Sequence, residues 1–244
     1  GIDNAGNDRT AVCCLSSLNL DTYDEWKDNT QFVEDVMRFL DNVMTDFINK
    51  APDEFANAKY SAMRERSVGL GVMGLHSYFQ QKNIPFGSVM SKVWNKKIFK
   101  NIQEKADAAS ISLAEERGSC PDAEEYGIKE RFSNKTAIAP TASISIICGG
   151  TSPGIEPIAA NSFTHKTLSG SFNVRNKYLK KILKKYKKDT DEVWSGITTN
   201  QGSVSHLDFL TLEEKDTFKT AFEIDQRWII ELGADRTPHI SQAQ

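Results

Sequence analysis

Apolar residues along the chain recur with the spacings typical of helices that alternate with short strands. Segment 11–20, AVCCLSSLNL, is a run of small and apolar residues between two polar stretches, which predicts a short buried strand. In segment 32–48 the apolar residues return every three or four positions before Pro52, which predicts a helix. A second long amphipathic helix is predicted over 94–113, ended by Gly118.

Four further segments complete the predicted order of elements. Segment 67–79 is apolar with three glycines, and it predicts a helix or turn whose backbone packs close to a neighbour. Segment 135–154, KTAIAPTASISIICGGTSPG, predicts a strand, a functional turn, a further element and a second turn. Segments 176–188 and 212–232 each predict a helix. We therefore expect an α/β fold with a buried sheet, in which residues 1–244 form a single segment of one domain.

Composition and charge exclude several classes of protein. The net charge of -3 argues against a nucleic-acid coat, and the seven lysines of segment 176–188 are interpreted as a solvated helix face. No apolar run is long enough to span a membrane, and no secretory signal is visible at the amino end, so we expect a cytoplasmic protein. The four cysteines and four histidines lack the spacing of a disulfide scaffold or a metal site, so we expect free thiols and no metal.

The adjacent pair Cys13-Cys14 is one candidate for chemistry. Successive side chains on a strand point to opposite faces, so at most one of the two thiols faces a cavity. Taken by themselves, the residues favour two small core hydrophobes over a redox thiol.

The turn Ala139-Pro140-Thr141-Ala142-Ser143 is the second candidate, because it suits a phosphate group. Proline fixes φ, the hydroxyls can donate, and the first N–H groups of a following helix are free. An ordinary Ser/Thr helix cap explains the same residues, and no Walker motif decides between the two. Downstream, Glu156 in GIEP is interpreted as a structural anchor in preference to a ligand-orienting group.

Six phrases in a fixed order carry a resemblance that spans nearly the whole chain. Together they resemble the catalytic subunit of ribonucleotide reductases. That family reduces ribonucleoside diphosphates, or triphosphates in some members, by thiyl-radical chemistry inside a ten-stranded α/β barrel. The resemblance implies that this chain is the second half of such a barrel. The phrases are AVCCLSSLNL, ERSVGLGVMGLHSYFQQKNIPF, LAEERG, APTASISIICGGTSPGIEP, THKTLSGSF and ADRTPHISQAQ.

The resemblance also implies roles for individual residues. Cys13 matches one of the two reducing cysteines, which are oxidised to a disulfide when the substrate 2'-hydroxyl leaves, whereas Cys14 is a neighbour that faces away. The APTASIS phrase matches the loop that binds the substrate phosphates. Ile144 departs from relatives that have a hydroxyl residue there, so its backbone serves the phosphate. The implied substrate-binding residues are Thr141, Ala142, Ser143 and Ile144.

Further parts of the family pattern are expected outside this chain. The radical-bearing cysteine in its NxCxE-type motif and the second reducing cysteine are expected before Gly1, and a Tyr-Tyr relay and a carboxy-terminal cysteine pair after Gln244. We therefore expect this polypeptide to be inactive by itself and to need the amino-terminal remainder of a homo-oligomeric catalytic subunit.

The closing GADRTPHISQAQ resembles class I enzymes, which take their radical from a separate dimetal subunit. GLGVMGL and APTASISII also resemble class II enzymes, which use adenosylcobalamin, so class II is an alternative. We expect no cofactor bound directly by this segment, and thioredoxin or glutaredoxin as the reductant. The sequence also leaves open a non-catalytic docking piece or remnant of a split reductase, and an unrelated phosphate-binding enzyme.

Overall fold

The computed structural model describes residues 1–167 and 170–242. Leu168 and Ser169 of THKTLSGSF and the last two residues of ADRTPHISQAQ lie outside the described residues. The strands are β1 (Leu15–Asn19), β2 (Gly69–Met73), β3 (Ser162–Thr167) and β4 (Gly170–Arg175). The helices are α1 (Tyr23–Trp26), α2 (Thr30–Lys50), α3 (Ala56–Glu65), α4 (Leu75–Gln81), α5 (Val89–Arg117), α6 (Pro121–Glu125), α7 (Ile144–Ile147), α8 (Lys177–Lys185), α9 (Asp191–Thr199), α10 (Leu212–Thr217) and α11 (Arg227–Arg236).

A parallel sheet lies at the centre of the fold. β1 pairs in parallel with β2, from Leu15 opposite Gly69 to Asn19 opposite Met73. Segment 134–138 continues on the other side of β2 through a single parallel bridge. The strand predicted within 11–20 is thus confirmed at its second half, and the strand predicted after residue 135 forms one bridge. Parallel strands of this kind need helical connections, which α2 and α5 provide.

The glycine-rich segment 67–79 contains a fully buried strand where the sequence predicted a helix or turn. β2 lies against segment 134–138 so closely that a Cβ at Gly71 would overlap the Ala137 carbonyl oxygen. The glycines therefore permit close packing, as predicted, but between strands. Gly74, at φ 85°, then turns the chain from β2 into α4.

The main core covers this sheet with the two long helices. The predicted helix over 32–48 is confirmed as α2, whose first turn is capped by Asn29 through the Phe32 N–H at 3.3 Å. The predicted helix over 94–113 is confirmed as α5, capped by Ser88. The two helices bury their apolar stripes against each other, and α2 also packs against β1. The largest buried side chains of this core include Tyr23, Met37, Leu40, Met44, Leu70, Tyr78, Phe79, Phe86 and Phe132.

A second, smaller core forms around α8 and α9. The helix predicted over 176–188 is confirmed, with its apolar side chains turned inward. The single helix predicted over 212–232 is wrong, because the chain forms α10, a turn and α11. Phe218 belongs to the second core and Leu232 to the first. The regularly spaced apolar residues of this segment are therefore divided between two cores. Between the helices, the Glu223 carboxylate accepts hydrogen bonds from the N–H and hydroxyl of Thr220, which holds the turn.

The fold class is α/β, as predicted, with the antiparallel hairpin of β3 and β4 beside the parallel sheet. The described parts of the chain contain no closed barrel. Across residues 1–167 and 170–242, every helix falls short of the length or apolarity that a bilayer crossing requires.

Candidate functional site

A pocket of about 280 Å³ lies between β1 and the turn at residues 139–144, which we call the APTASI turn. Three consecutive residues of β1 form one wall, and the turn forms the other. More than 120 positions of sequence separate the two walls, and the sheet brings them together. The lining residues are Leu15, Ser16, Ser17, Ala139, Thr141, Ala142, Ser143 and Ile144.

Thr141 determines the backbone direction of the APTASI turn. This residue is buried and has a φ of 54°, in the left-handed region that few residues with a side chain adopt. Its hydroxyl oxygen accepts a hydrogen bond from the Gly154 N–H at 2.7 Å, and its carbonyl accepts one from the Ser145 N–H at 3.0 Å. The Thr141 side chain thus holds the turn against the GIEP segment.

The backbone N–H groups that follow Thr141 are free. Across the chain as described, no acceptor pairs with the N–H groups of Ala142, Ser143 or Ile144, which precede or begin the short helix α7. All three residues are exposed and line the pocket. Unpaired N–H groups that open onto a pocket are good donors for an anion.

The four predicted substrate-binding residues therefore lie together, but in two different states. Thr141 is buried and its hydroxyl oxygen accepts an internal hydrogen bond, whereas Ala142, Ser143 and Ile144 offer backbone donors. The Ser143 hydroxyl does not cap α7. The Ser/Thr helix cap that the sequence offered as an alternative is therefore not formed by Ser143.

The two adjacent cysteines point in different directions. Cys13 is exposed and precedes β1, two residues before the pocket residue Leu15. Cys14 is half-buried, packs against the main core, and places its Sγ 3.6 Å from the Leu40 carbonyl oxygen. Burial raises the pKa of the Cys14 thiol. The core interpretation is therefore correct for Cys14 and wrong for Cys13.

The remaining candidates from the sequence do not join this pocket. Glu156 is exposed, so its interpretation as a buried structural anchor is wrong. Within the two described stretches of chain, no group of three or more histidine, cysteine, aspartate or glutamate side chains is arranged to hold a metal ion.

Sequence reasoning missed the contribution of β1 to this pocket. Ser16 and Ser17 are small hydroxyl residues that follow the cysteine pair after Leu15, and all three residues line the pocket. It also missed Asn19 at the end of β1, whose side-chain amide donates to the Cys148 carbonyl oxygen at 3.1 Å, just beyond α7. The polar residues within this strand and at its end were the available signal.

The fold and the pocket define an α/β segment in which the parallel strand β1, which follows the exposed Cys13, lies beside a turn of free N–H groups. Residues 2–129 and 121–244 match the family model described as the ribonucleotide reductase barrel domain. The chain belongs to this family.

Known proteins similar to this chain support the same assignment. The large subunit of ribonucleoside-diphosphate reductase from Invertebrate iridescent virus 6 is 51% identical over 240 residues, which are 97% of this chain and 25% of that protein. The large subunit from Caenorhabditis elegans is 31% identical over 277 aligned residues. That alignment covers all of this chain and 35% of the Caenorhabditis elegans protein.

The fold is also similar to a solved structure. The class Id ribonucleotide reductase alpha subunit of Actinobacillus ureae superposes with a TM-score of 0.88 and 42% identity, over 97% of this chain and 44% of that one. The chain therefore spans between a quarter and less than half of the length of these relatives.

Proposed function

We propose that this chain forms part of the catalytic site of a ribonucleoside-diphosphate reductase, in which it supplies one reducing cysteine and the loop that binds the substrate phosphates. One observation supports this most strongly. Strand β1, which begins two residues after Cys13, lines the same pocket as the APTASI turn. A thiol and a phosphate-binding turn that approach one pocket fit a substrate whose reacting carbon and phosphates are carried by different positions of the same sugar.

In this proposal the APTASI turn binds the diphosphate through its backbone. The free N–H groups of Ala142, Ser143 and Ile144 are the donors, and the Thr141 hydroxyl keeps the turn in place. The role of Ile144 needs its N–H and not its side chain, which agrees with a non-hydroxyl residue at that position.

Cys13 acts as a reductant in the same proposal. The substrate 2'-hydroxyl leaves as water, and the two electrons that reduce the carbon come from two thiols, which become a disulfide. Cys13 is one of these thiols, and the second belongs to the remainder of the catalytic subunit. The exposure of Cys13 lets it exchange with thioredoxin or glutaredoxin afterwards.

We further infer a class I enzyme, because the class Id alpha subunit is 42% identical to this chain over 97% of its length. A separate dimetal subunit would then supply the radical that starts the reaction. The complete enzyme contains the rest of the catalytic subunit and acts as a homo-oligomer in the cytoplasm, where its four free thiols stay reduced.

A docking piece without catalytic work is the second candidate function. The observation that favours it is the exposed apolar surface beside the pocket, where residues Ile146 and Ile147 are 53% and 80% exposed. Such a surface is covered when the rest of a barrel packs against it. This candidate predicts association with the remainder of the subunit, but no effect of pocket substitutions on chemistry.

Two matched pairs of variants in the complete catalytic subunit test the proposal. Cys13→Ser should abolish multiple turnovers with a thioredoxin-type reductant, whereas Cys148→Ser, which changes another exposed thiol, should retain them. Ala142→Asp places a negative charge at the pocket and should weaken diphosphate binding about tenfold or more. The asparagine of Ala142→Asn has the same shape as aspartate without the charge, so this variant should bind the diphosphate far more tightly than Ala142→Asp does. Normal turnover by Cys13→Ser, or equal affinities for the Ala142 pair, would refute the proposal.

A further inference from the structure

Lys177, the first residue of α8, reaches from the second core to the loop that leaves the APTASI turn. This loop, residues 148–150, is called the exit loop below. The Lys177 ammonium donates to the Gly149 carbonyl oxygen at 3.0 Å and forms an ion pair with the Asp21 carboxylate. The Lys177 side chain is 40% exposed, whereas that of Asp21 is 8% exposed. One cation therefore joins three separate parts of the chain.

The partner of Lys177 belongs to the strand side of the pocket. Asp21 lies two residues beyond the end of β1, and its N–H donates to the Asn19 side-chain oxygen at 3.0 Å. The Asn19 amide in turn donates to the Cys148 carbonyl at 3.1 Å. The adjacent carbonyls of Cys148 and Gly149 are thus each bound by a donor that is connected to the end of β1.

The backbone of the exit loop supplies only part of its anchoring. The Cys148 and Gly150 N–H groups donate to carbonyls of α7 at 2.8 and 3.1 Å, whereas the Cys148 and Gly149 carbonyls are bound by side chains from outside the loop. Helix α7 has four residues, and the two glycines after it have φ values of 90° and 62°, which glycine adopts without a steric penalty. At the start of the APTASI turn, the Thr141 hydroxyl oxygen accepts a hydrogen bond from the Gly154 N–H. Lys177 and Asn19 hold the other end.

We propose that Lys177 is a positioning residue for substrate binding, which fixes the exit loop so that the free N–H groups of the APTASI turn face the diphosphate. The inference rests on the proposed function. The ammonium is suited to this task because its three hydrogens can serve the Gly149 carbonyl and the Asp21 carboxylate together. Lys177 does not line the pocket, so in this proposal it acts on diphosphate binding through the exit loop and leaves the chemical step unchanged.

The test compares Lys177→Met with Lys184→Met in the complete catalytic subunit, assayed with its radical-generating subunit. Lys184 lies on the same helix, is exposed and has no ion pair among the described residues. Loss of a charged hydrogen bond should raise the KM for the ribonucleoside diphosphate about tenfold in Lys177→Met, with kcat unchanged. Lys184→Met should keep both constants, and Lys177→Arg should restore the KM, because a guanidinium can also serve both oxygens.

Several results would overturn the inference. An unchanged KM in Lys177→Met, a fall in kcat without a change in KM, or a failure of Lys177→Arg to restore binding each contradicts a positioning role. If Lys177→Met does not fold, as judged by its circular dichroism, Lys177→Gln is measured against the same expectation. Ala142→Asp is assayed in parallel. If Ala142→Asp binds normally, the proposed function itself fails. If Ala142→Asp is weakened while Lys177→Met is not, the inference fails and the proposed function stands.

Discussion

The Nδ1 atom of His76 accepts a hydrogen bond from the Ile158 backbone N–H at 2.9 Å. His76 lies on α4, directly after the central strand β2, and Ile158 follows the GIEP segment. The imidazole is 0% exposed, and burial lowers its pKa to about 3. A neutral imidazole thus connects the main core to the segment that holds the pocket turn.

This contact predicts how stability depends on pH. An unfolded His76 takes up a proton below about pH 6.5, whereas the folded protein resists protonation until the pH approaches about 3. The contribution of His76 to the free energy of unfolding should therefore be fully present above about pH 6.5. Below that pH it should fall as the pH decreases, by up to about 1.4 kcal/mol per pH unit. Urea unfolding between pH 7 and about pH 5, where carboxylates stay ionised, measures this slope.

The variant His76→Gln provides the control. Its amide accepts the same hydrogen bond but does not titrate in this range. The slope should become shallower in this variant. An identical slope in both proteins would assign the pH dependence to other groups.

A second prediction concerns Asp41 on α2, which is 0% exposed and bound by three arginines. Burial raises the pKa of this carboxyl, but the Arg131 hydrogen bond and the Arg66 charge outweigh burial and hold the pKa below its usual value. Asp41→Asn would leave Arg66, Arg117 and Arg131 without their shared counter-charge. We expect a loss of about 3–5 kcal/mol in the free energy of unfolding.

Asp46→Asn on the same helix is the matched comparison. Asp46 pairs with Lys50 at the surface, where both side chains are more than half exposed, so its loss should change stability by less than about 1 kcal/mol. Equal effects of the two substitutions in urea unfolding would show that the arginine cluster contributes no more than a surface pair.

The close approach at Gly71 predicts a third effect. Gly71→Ala would drive a Cβ into the Ala137 carbonyl, and backbone cannot move aside as a flexible side chain does. Strain of this kind should destabilise the protein by about 1–3 kcal/mol or more. Gly233→Ala is the control, because its added Cβ in helix α11 meets an ordinary contact at 3.7 Å. That variant should gain up to about 1 kcal/mol from helix propensity, as measured by thermal unfolding. A Gly71→Ala protein as stable as the parent would contradict the close packing of β2 against segment 134–138.

Local periodicity predicted the elements that serve one core. Helices α2, α5 and α8 each have a single apolar stripe and were predicted from it. The prediction over 212–232 failed because Phe218 and Leu232 enter different cores, which no local pattern distinguishes. Segment 69–73 was misread because its alternating glycines, which allow strands to approach, also weaken the usual signal of a strand.

The candidate site was predicted only in part, because some of its residues are neighbours in sequence and others are distant. Cys13 and the APTASI turn were found through phrases of neighbouring residues, and their roles remain predictions. The positions of Asn19 and Lys177 were not predicted, because each acts on the exit loop from a distant part of the chain. Contacts across such separations depend on the topology, and single residues such as these have no repeating pattern by which to be recognised.

The last prediction distinguishes two roles for the Thr141 hydroxyl: it stabilises the APTASI turn, or it contacts the substrate directly. Thr141→Val keeps the branched shape but removes the oxygen that accepts the buried Gly154 N–H at 2.7 Å. An unpaired buried N–H should reduce the free energy of unfolding by about 1–3 kcal/mol. The same loss should loosen the APTASI turn and raise the KM for the diphosphate. Thr141→Ser keeps the oxygen, so it should stay close to the parent in both measurements.

Thr151 supplies the matched control because its buried hydroxyl oxygen has no hydrogen-bond partner in the described residues. Thr151→Val should therefore be neutral or stabilising, since it removes a buried polar group that gains nothing from its surroundings. Urea unfolding and steady-state kinetics of the three variants decide the matter. If Thr141→Val and Thr151→Val behave alike, the Thr141 hydroxyl does not hold the turn. If Thr141→Val loses affinity while its stability is unchanged, the hydroxyl acts on the substrate directly and not through Gly154.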